Sequence, residues 1–357
     1  MNDQLTEVYA SIDALIDYAL AHLDLDPRNA DWTRNQIFAL FRLDSYPGPK
    51  TTTSAASVSD VVQDIVGSRS QAPYGEPATP AGLFKPEEGP AYADTIMGIL
   101  SANPADLDDR FLLVEHRDGG MAAMQWFYDY CVANNYVKRA QLDRNPRFDS
   151  HGLTVTINLA KPEFKNMKKA AAGNAVAGGY PKCTICHENE GFAGRDKRTL
   201  RTLPVTLGGE SWFWQFSPYG YFDQHGICVN TDHTPMHVDR DTFGHLLDFV
   251  DRFPGYFLGC NAALPELLPM HKAATWAAFT LADYPDAVVE ILDWPGTAVR
   301  VVSKSRQSII DVSDIIREAW VGYDDAANGI ASHDADGNRQ SALSPSAIIT
   351  ERHRTWL

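Results

Sequence analysis

No run of about 18 apolar residues occurs in the 357, so no membrane-spanning helix is expected. Basic residues are in deficit: 31 Lys and Arg stand against 46 Asp and Glu, a formal net charge of -15. That balance argues against a nucleic-acid backbone or an anionic membrane as the main partner. Cysteine is sparse. The five (Cys131, Cys183, Cys186, Cys228 and Cys260) are odd in number and sit in apolar or motif contexts, which fits a reducing cytoplasm better than a secreted disulfide frame. The first 25 residues are acidic and amphipathic and lack a basic leader region, so no signal peptide is read there. Missing too are a glycine-rich dinucleotide fingerprint, a phosphate-binding P-loop, a Gly-x-Ser-x-Gly elbow and a His-Glu-x-x-His helix. What is present, 44% hydrophobic and 22% charged residues, is ordinary for a globular protein with a substantial core.

Apolar residues at helical spacing predict an amphipathic helix over Leu5–Leu25 and a shorter one from Asp31 to Phe41. Helical turns are expected over Val58–Val66 and Tyr92–Leu100, with loops at Pro47–Thr53 and Gln71–Pro90. Met121–Ala140 reads as an aromatic helix whose Trp126, Phe127, Tyr130 and Tyr136 either pack in the core or meet a nucleobase. The period then changes. Leu153–Leu159 alternates as a strand, and Lys165–Gly179 is an Ala-rich helix stopped by Gly178 and Gly179. Strands follow at Thr199–Val205, Ser211–Phe216 and Gly226–Asn230, then a helix over Asp239–Phe253 and a strand at Tyr256–Asn261. Beyond lie strands at Ala287–Leu292 and Thr297–Val302, a helix over Gln307–Tyr323 and a turn at Asp334. Strand, helix and strand recur before and after Pro265, which suggests two related halves. The class is α+β with antiparallel sheet, preceded by a mainly helical region over residues 1–150.

The chemistry-bearing stretch is YPKCTICHENEGFAGR, residues 180–195. Cys183 and Cys186 form one Cys-x-x-Cys, which alone is as readily a redox pair or a chance occurrence as half of a zinc site. A structural zinc takes four ligands. His233 is the best third candidate, His237, His225 and His187 are weaker ones, and spacing alone reveals no fourth. Arg195, Arg198 and Arg201 follow closely, either as a phosphate clamp or as the solvated face of a loop. Ser217 precedes a proline and is first a turn signal.

That stretch, with GESWFWQFSPYGYFDQHGICV, DHTPMHVDRDTF, LLDFVDRFPGYFLGCNAALP and ILDWPGTAVRV in the same order, closely resembles the galactose-1-phosphate uridylyltransferases, in particular their bacterial second-type branch. The similarity starts near Trp32–Asn35, is dense from Trp126 to Pro265 and resumes from Leu268 to about Tyr323. The resemblance implies a histidine-triad-like fold in two halves, residues 151–265 carrying the Cys-x-x-Cys and residues 266–357 forming an incomplete second half. It implies exchange of a uridylyl group between UDP-glucose and galactose 1-phosphate, yielding UDP-galactose, through a covalent uridylyl-histidine. By the same resemblance Cys183, Cys186 and His233 are ligands to zinc, and Asn189, Arg195, His225 and Asn261 are substrate contacts, with Gln215 and Tyr219 weaker candidates. A cytoplasmic homodimer is expected.

One departure is large. After a segment like Gly259–Pro265 the family continues through glycines to His-x-His, whose second histidine is the nucleophile. No His-x-His occurs in these 357 residues, and Pro265 runs directly into Glu266. The resemblance therefore assigns no catalytic residue here and locates the nucleophile in a segment missing between Pro265 and Glu266. His271, nearest that point, lies in a context unlike the nucleophile's. Either the polypeptide is longer at this junction, or a deletion has left a nucleotide-sugar-binding paralogue without its nucleophile. A related nucleotidyltransferase or phosphorylase of the same superfamily is the remaining enzymatic alternative.

Overall fold

The computed structural model describes residues 3–41, 43, 46, 48, 89–150, 153–159, 181, 183–192, 197–220, 222–232, 238–260, 274–293, 298–328, 347–350 and 354–356. Helix α1 (Asp3–His22) buries Tyr9, Ile12, Leu15, Ile16 and Ala19 at helical spacing. A turn capped by Asp26, which accepts from the Arg28 N–H at 2.8 Å, leads into α2 (Ala30–Phe41). Helix α3 (Gly89–Leu100) ends at the expected residue and starts three residues before the Tyr92 expected from periodicity. Helix α4 (Pro104–Asp118) was not anticipated, although its start carries standard signals. Asn103 accepts from the Asp106 N–H at 3.1 Å, Pro104 occupies the first turn, and Leu107, Phe111 and Val114 form the buried stripe.

The long aromatic helix is two helices. Helix α5 (Gly120–Ala133) ends where Asn135 takes a positive φ of 60°, and the chain resumes as α6 (Arg139–Leu142). Phe127, Tyr130 and Tyr136 are buried and Trp126 packs against the same core, so these rings are packing elements. Arg252 holds this helical layer with a two-pronged ion pair to Glu115, both contacts at 2.7 Å.

Every strand pairing among the described residues is antiparallel, as the α+β reading requires. A hairpin of β1 (Arg147–Ser150) and β2 (Leu153–Thr156) precedes a three-stranded sheet of β3 (Leu203–Leu207), β4 (Glu210–Phe216) and β5 (Gly226–Asn230). Strand β3 starts four residues later than expected. Thr199 and Thr202 are committed elsewhere: the Thr199 carbonyl accepts from the Asn134 amide at 2.8 Å, and the Thr202 N–H donates to Glu190 at 2.6 Å. Helix α7 (Arg240–Arg252), capped by Asp239, leads to β6 (Phe257–Cys260).

The same order then recurs as β7 (Thr275–Leu281), β8 (Tyr284–Leu292), β9 (Val299–Val302), α8 (Arg306–Asn328), β10 (Ala347–Thr350) and β11 (Arg354–Trp356). The second sheet runs β6-β10-β11-β9-β8-β7, so it takes one strand from before Pro265 and five from after it. Strand β7 carries no alternating sequence signal of a strand, because it is exposed along nearly its whole length and shows no alternation of burial. The expected helices at Val58–Val66 and Lys165–Gly179 and the turn at Asp334 lie outside the described residues.

Candidate functional site

The site is organised by the two faces of β4. Trp212, Trp214 and Phe216 point to the main core, where the Trp214 ring stacks on Phe249 of α7 at 5.1 Å and Phe216 meets Phe127 of α5 at 5.5 Å. The alternate residues Phe213 and Gln215 face the other way and receive the cysteine turn. The buried Gln215 amide donates to the Ile185 carbonyl at 2.9 Å, and Phe213 meets the His187 ring edge-on at 5.5 Å. Gln215 is therefore a seat for the turn, a role that sequence spacing does not announce.

Within the turn, the Cys186 N–H donates to the Cys183 sulfur at 3.0 Å and the Cys186 thiol to the Cys183 carbonyl at 3.4 Å. Asn189, wholly buried at the end of a short 3-10 turn (His187–Asn189), donates from its amide nitrogen to the carbonyls of Cys183 and Cys186 at 2.8 and 2.9 Å. Two backbone acceptors are thereby satisfied by one side chain, which fixes the separation of the cysteines. Neither cysteine is in a disulfide, and burial pushes the Cys186 thiol up. The turn fits half of a tetrahedral thiolate site: two sulfurs on one tight bend, with an N–H directed at one of them. No cluster of three metal-binding side chains occurs among the described residues.

Behind the turn lies a half-buried acidic pair. Glu190 accepts from the Thr202 N–H and hydroxyl at 2.6 and 3.2 Å, and His187 Nε2 lies 3.3 Å from the same carboxylate. The Glu190 hydrogen bond raises the His187 pKa above its ordinary value. Asp108, on α4, is pushed up to about 6, chiefly by burial and then by the negative charges of Glu190 and Asp109. Neither carboxylate stood out in the sequence; the helix that carries Asp108 was itself unread.

Among the residues expected at the site, Cys183, Cys186 and Asn189 come together in the turn. His225 immediately precedes β5, where Gly226 pairs with Phe216, one residue along β4 from Gln215. Its ring stacks on Phe222 at 5.7 Å, and its carbonyl accepts from the Ser217 N–H at 2.8 Å. Arg195, His233, Asn261 and the Pro265–Glu266 junction lie outside the described residues. Arg201 is no solvated loop residue: it is buried and donates to the carbonyls of Ala102, Arg198 and Leu200 at 2.7, 3.0 and 2.8 Å.

A family model for the galactose-1-phosphate uridyl transferase N-terminal domain matches residues 78–235, a span that contains the cysteine turn, His225 and His233. A galactose-1-phosphate uridylyltransferase of Bifidobacterium longum subsp. longum is 92% identical over 380 residues, covering 99% of this chain and 74% of the relative. That alignment, 380 residues against a chain of 357, means that the relative carries at least 23 residues within the aligned span that have no counterpart here. Relatives of the same name from Streptococcus mutans and Butyrivibrio fibrisolvens are each 30% identical, covering 92% and 94% of this chain and 69% and 91% of their own lengths. No solved structure gives a significant match. A near-identical relative along almost the entire chain, and others sharing one name, make this chain a member of the galactose-1-phosphate uridylyltransferase family.

Proposed function

We propose that the protein transfers a uridylyl group between UDP-glucose and galactose 1-phosphate. The observation that carries the proposal is the 92% identity to a galactose-1-phosphate uridylyltransferase across 99% of the chain. In the mechanism we infer, a neutral histidine imidazole attacks the α-phosphorus of UDP-glucose. A phosphorus–nitrogen bond forms as the bond to the bridging oxygen breaks, and glucose 1-phosphate leaves with that oxygen. A phosphate oxygen of galactose 1-phosphate then attacks the same phosphorus, releasing the imidazole and forming UDP-galactose. Two displacements through a covalent intermediate replace one difficult exchange. Imidazole suits both halves, being nucleophilic near neutral pH and a good leaving group once protonated.

The nucleophile belongs to the segment absent between Pro265 and Glu266. The at least 23 positions by which the relative exceeds this chain are enough to hold it. Asn189 shapes the cysteine turn, and Arg195, His225 and Asn261 contact the nucleotide sugar. Zinc is held by Cys183, Cys186 and His233, with the first histidine of the absent pair completing the set. Bound there, the metal supplies rigidity, fixing the wall against which the nucleophilic segment rests. No described helix is long and apolar enough to cross a membrane. We place the protein in the cytoplasm as a homodimer.

Isotope exchange between UDP-glucose and labelled glucose 1-phosphate, with no second sugar phosphate present, tests the first half-reaction. Exchange together with a uridylyl adduct detected by mass spectrometry is the expected result. A protein of intact mass near 39.5 kDa that binds UDP-glucose without exchange would establish the alternative, a binding paralogue lacking the nucleophile. The missing His-x-His is the one observation that favours that second reading.

A further inference from the structure

An open cleft of about 930 Å³ lies between the α1–α2 turn, the α3–α4 turn and the Glu190–Gly191 bend. Two of its lining residues, Trp32 and Arg201, carry groups that a ligand could use. Trp32 leaves 63% of its surface exposed on the wall. Arg201 is the opposite case, only 5% exposed, yet it forms no ion pair with any described carboxylate. Its Nε and Nη1 donate to three carbonyls, and its Nη2 has no hydrogen-bond partner among the described residues. A buried guanidinium is ordinarily matched by a carboxylate. Here one guanidinium nitrogen is open to solvent in a residue that lines the cleft.

Charge decides the class of ligand. Asp24, Asp26, Asp106 and Glu190 line the cleft against Arg28 and Arg201, an acidic excess that disfavours phosphate. A metal ion is disfavoured as well, since no group of three suitable side chains assembles among the described residues. The carboxylates are already engaged: Asp26 by Arg28 Nε at 3.0 and 3.1 Å, Asp106 by the Asn103 amide at 2.5 Å, and Glu190 by Thr202. Paired carboxylates still accept from hydroxyl groups, and Asn29 and Gln36 add amides to the lining. An exposed indole supplies a flat apolar face for the C–H side of a pyranose ring. We propose that this cleft, which shares Glu190 with the wall behind the cysteine turn, is a binding site for an uncharged hexose distinct from the nucleotide-sugar site. The proposal does not depend on the uridylyl-transfer reading.

Saturation-transfer NMR with D-galactose and D-glucose, on the full chain and on Trp32→Ala, tests it. Saturable transfer to hexose protons is expected in the parent. In Trp32→Ala it should fall at least tenfold, while UDP-glucose affinity stays within twofold. Arg201→Lys should weaken hexose binding several-fold, with a thermal unfolding curve confirming that the variant is folded. Transfer that survives intact in Trp32→Ala would put the hexose elsewhere and overturn the proposal. So would the absence of saturation up to about 50 mM hexose, where a Kd near 1 mM would leave the site full. Displacement of bound hexose from this cleft by inorganic phosphate at equal concentration would mark an anion site and overturn it equally.

Discussion

Asp108→Asn should stabilise the protein above pH 6. One oxygen of Asp108 is buried with no hydrogen-bond partner among the described residues, and the carboxyl is pushed from 3.8 up to about 6, mostly by burial. The folded state therefore keeps a proton that the unfolded chain has already released. Stability falls as pH rises through about 4 to 6, and the whole loss is present above the folded value. A displacement of about two pH units corresponds to roughly 3 kcal/mol at 1.36 kcal/mol per unit. Asp108 is only half buried, and solvent screening reduces the usable figure to about 1 kcal/mol.

The amide variant carries no such pH dependence. Its advantage over the parent should be about 1 kcal/mol at pH 8, roughly 1–2 °C in Tm for a chain of this size, and smaller at pH 5. Differential scanning calorimetry at the two pH values measures this directly. Asp109→Asn, on the neighbouring exposed position, is the control and should change Tm by less than half a degree. Coincident curves for parent and Asp108→Asn at both pH values, or a less stable variant at pH 8, would show that the Asp108 carboxyl is adequately solvated and that the reasoning is wrong.

Other expectations follow from single contacts. Asn189→Ala strips the turn of donors to two buried carbonyls and should cost about 2–3 kcal/mol, with faster modification of Cys183 and Cys186 by a thiol reagent. If the turn binds zinc as proposed, Cys183→Ser should lower both the metal content of the purified protein and its thermal stability; metal below about a tenth of an equivalent in the parent would refute the site. Gly208→Ala places a Cβ against the His245 imidazole at a φ of +58°, in a two-residue β3–β4 turn that favours glycine. It should destabilise by about 2 kcal/mol in thermal or urea unfolding.

What the sequence discloses about this fold depends on how exclusively each segment serves one purpose. Helix α7 is legible almost to the residue because its periodic face and the Asp239 cap agree, and strand β4 because its run of aromatic residues favours a strand. Helix α4 hides its three-residue stripe among Asp106, Asp108, Asp109 and Arg110, so charge masks a period that Asn103 and Pro104 had announced. Residues 199–202 look like a strand but spend their backbone groups on Asn134 and Glu190, a tertiary demand invisible to local pattern. The cysteine turn was visible as chemistry. Its supports were not, because Gln215 and Asn189 are ordinary polar residues until a sheet face and a buried bend give their amides a direction.

The order of the second sheet bears on the junction at Pro265. Among the described residues, β6 and β7 follow one another in sequence yet occupy opposite edges, five spacings or about 24 Å apart, whereas consecutive strands are usually neighbours. Beside β6 sits β10, in a pairing that joins Cys260 to Ala347. Closing that contact spans nearly ninety residues. A strand supplied within about ten residues of β6 would close a loop cheaper by roughly 2 kcal/mol, other contacts being equal. A polypeptide with the proposed further segment after Pro265 would thus offer β6 a nearer partner and release β10 from that edge. Hydrogen exchange at Ile348 and Ile349 reports the outcome. Faster exchange in the longer protein than in the 357-residue chain is expected, and equal protection in both would mean that β10 holds the edge whether or not the segment is present.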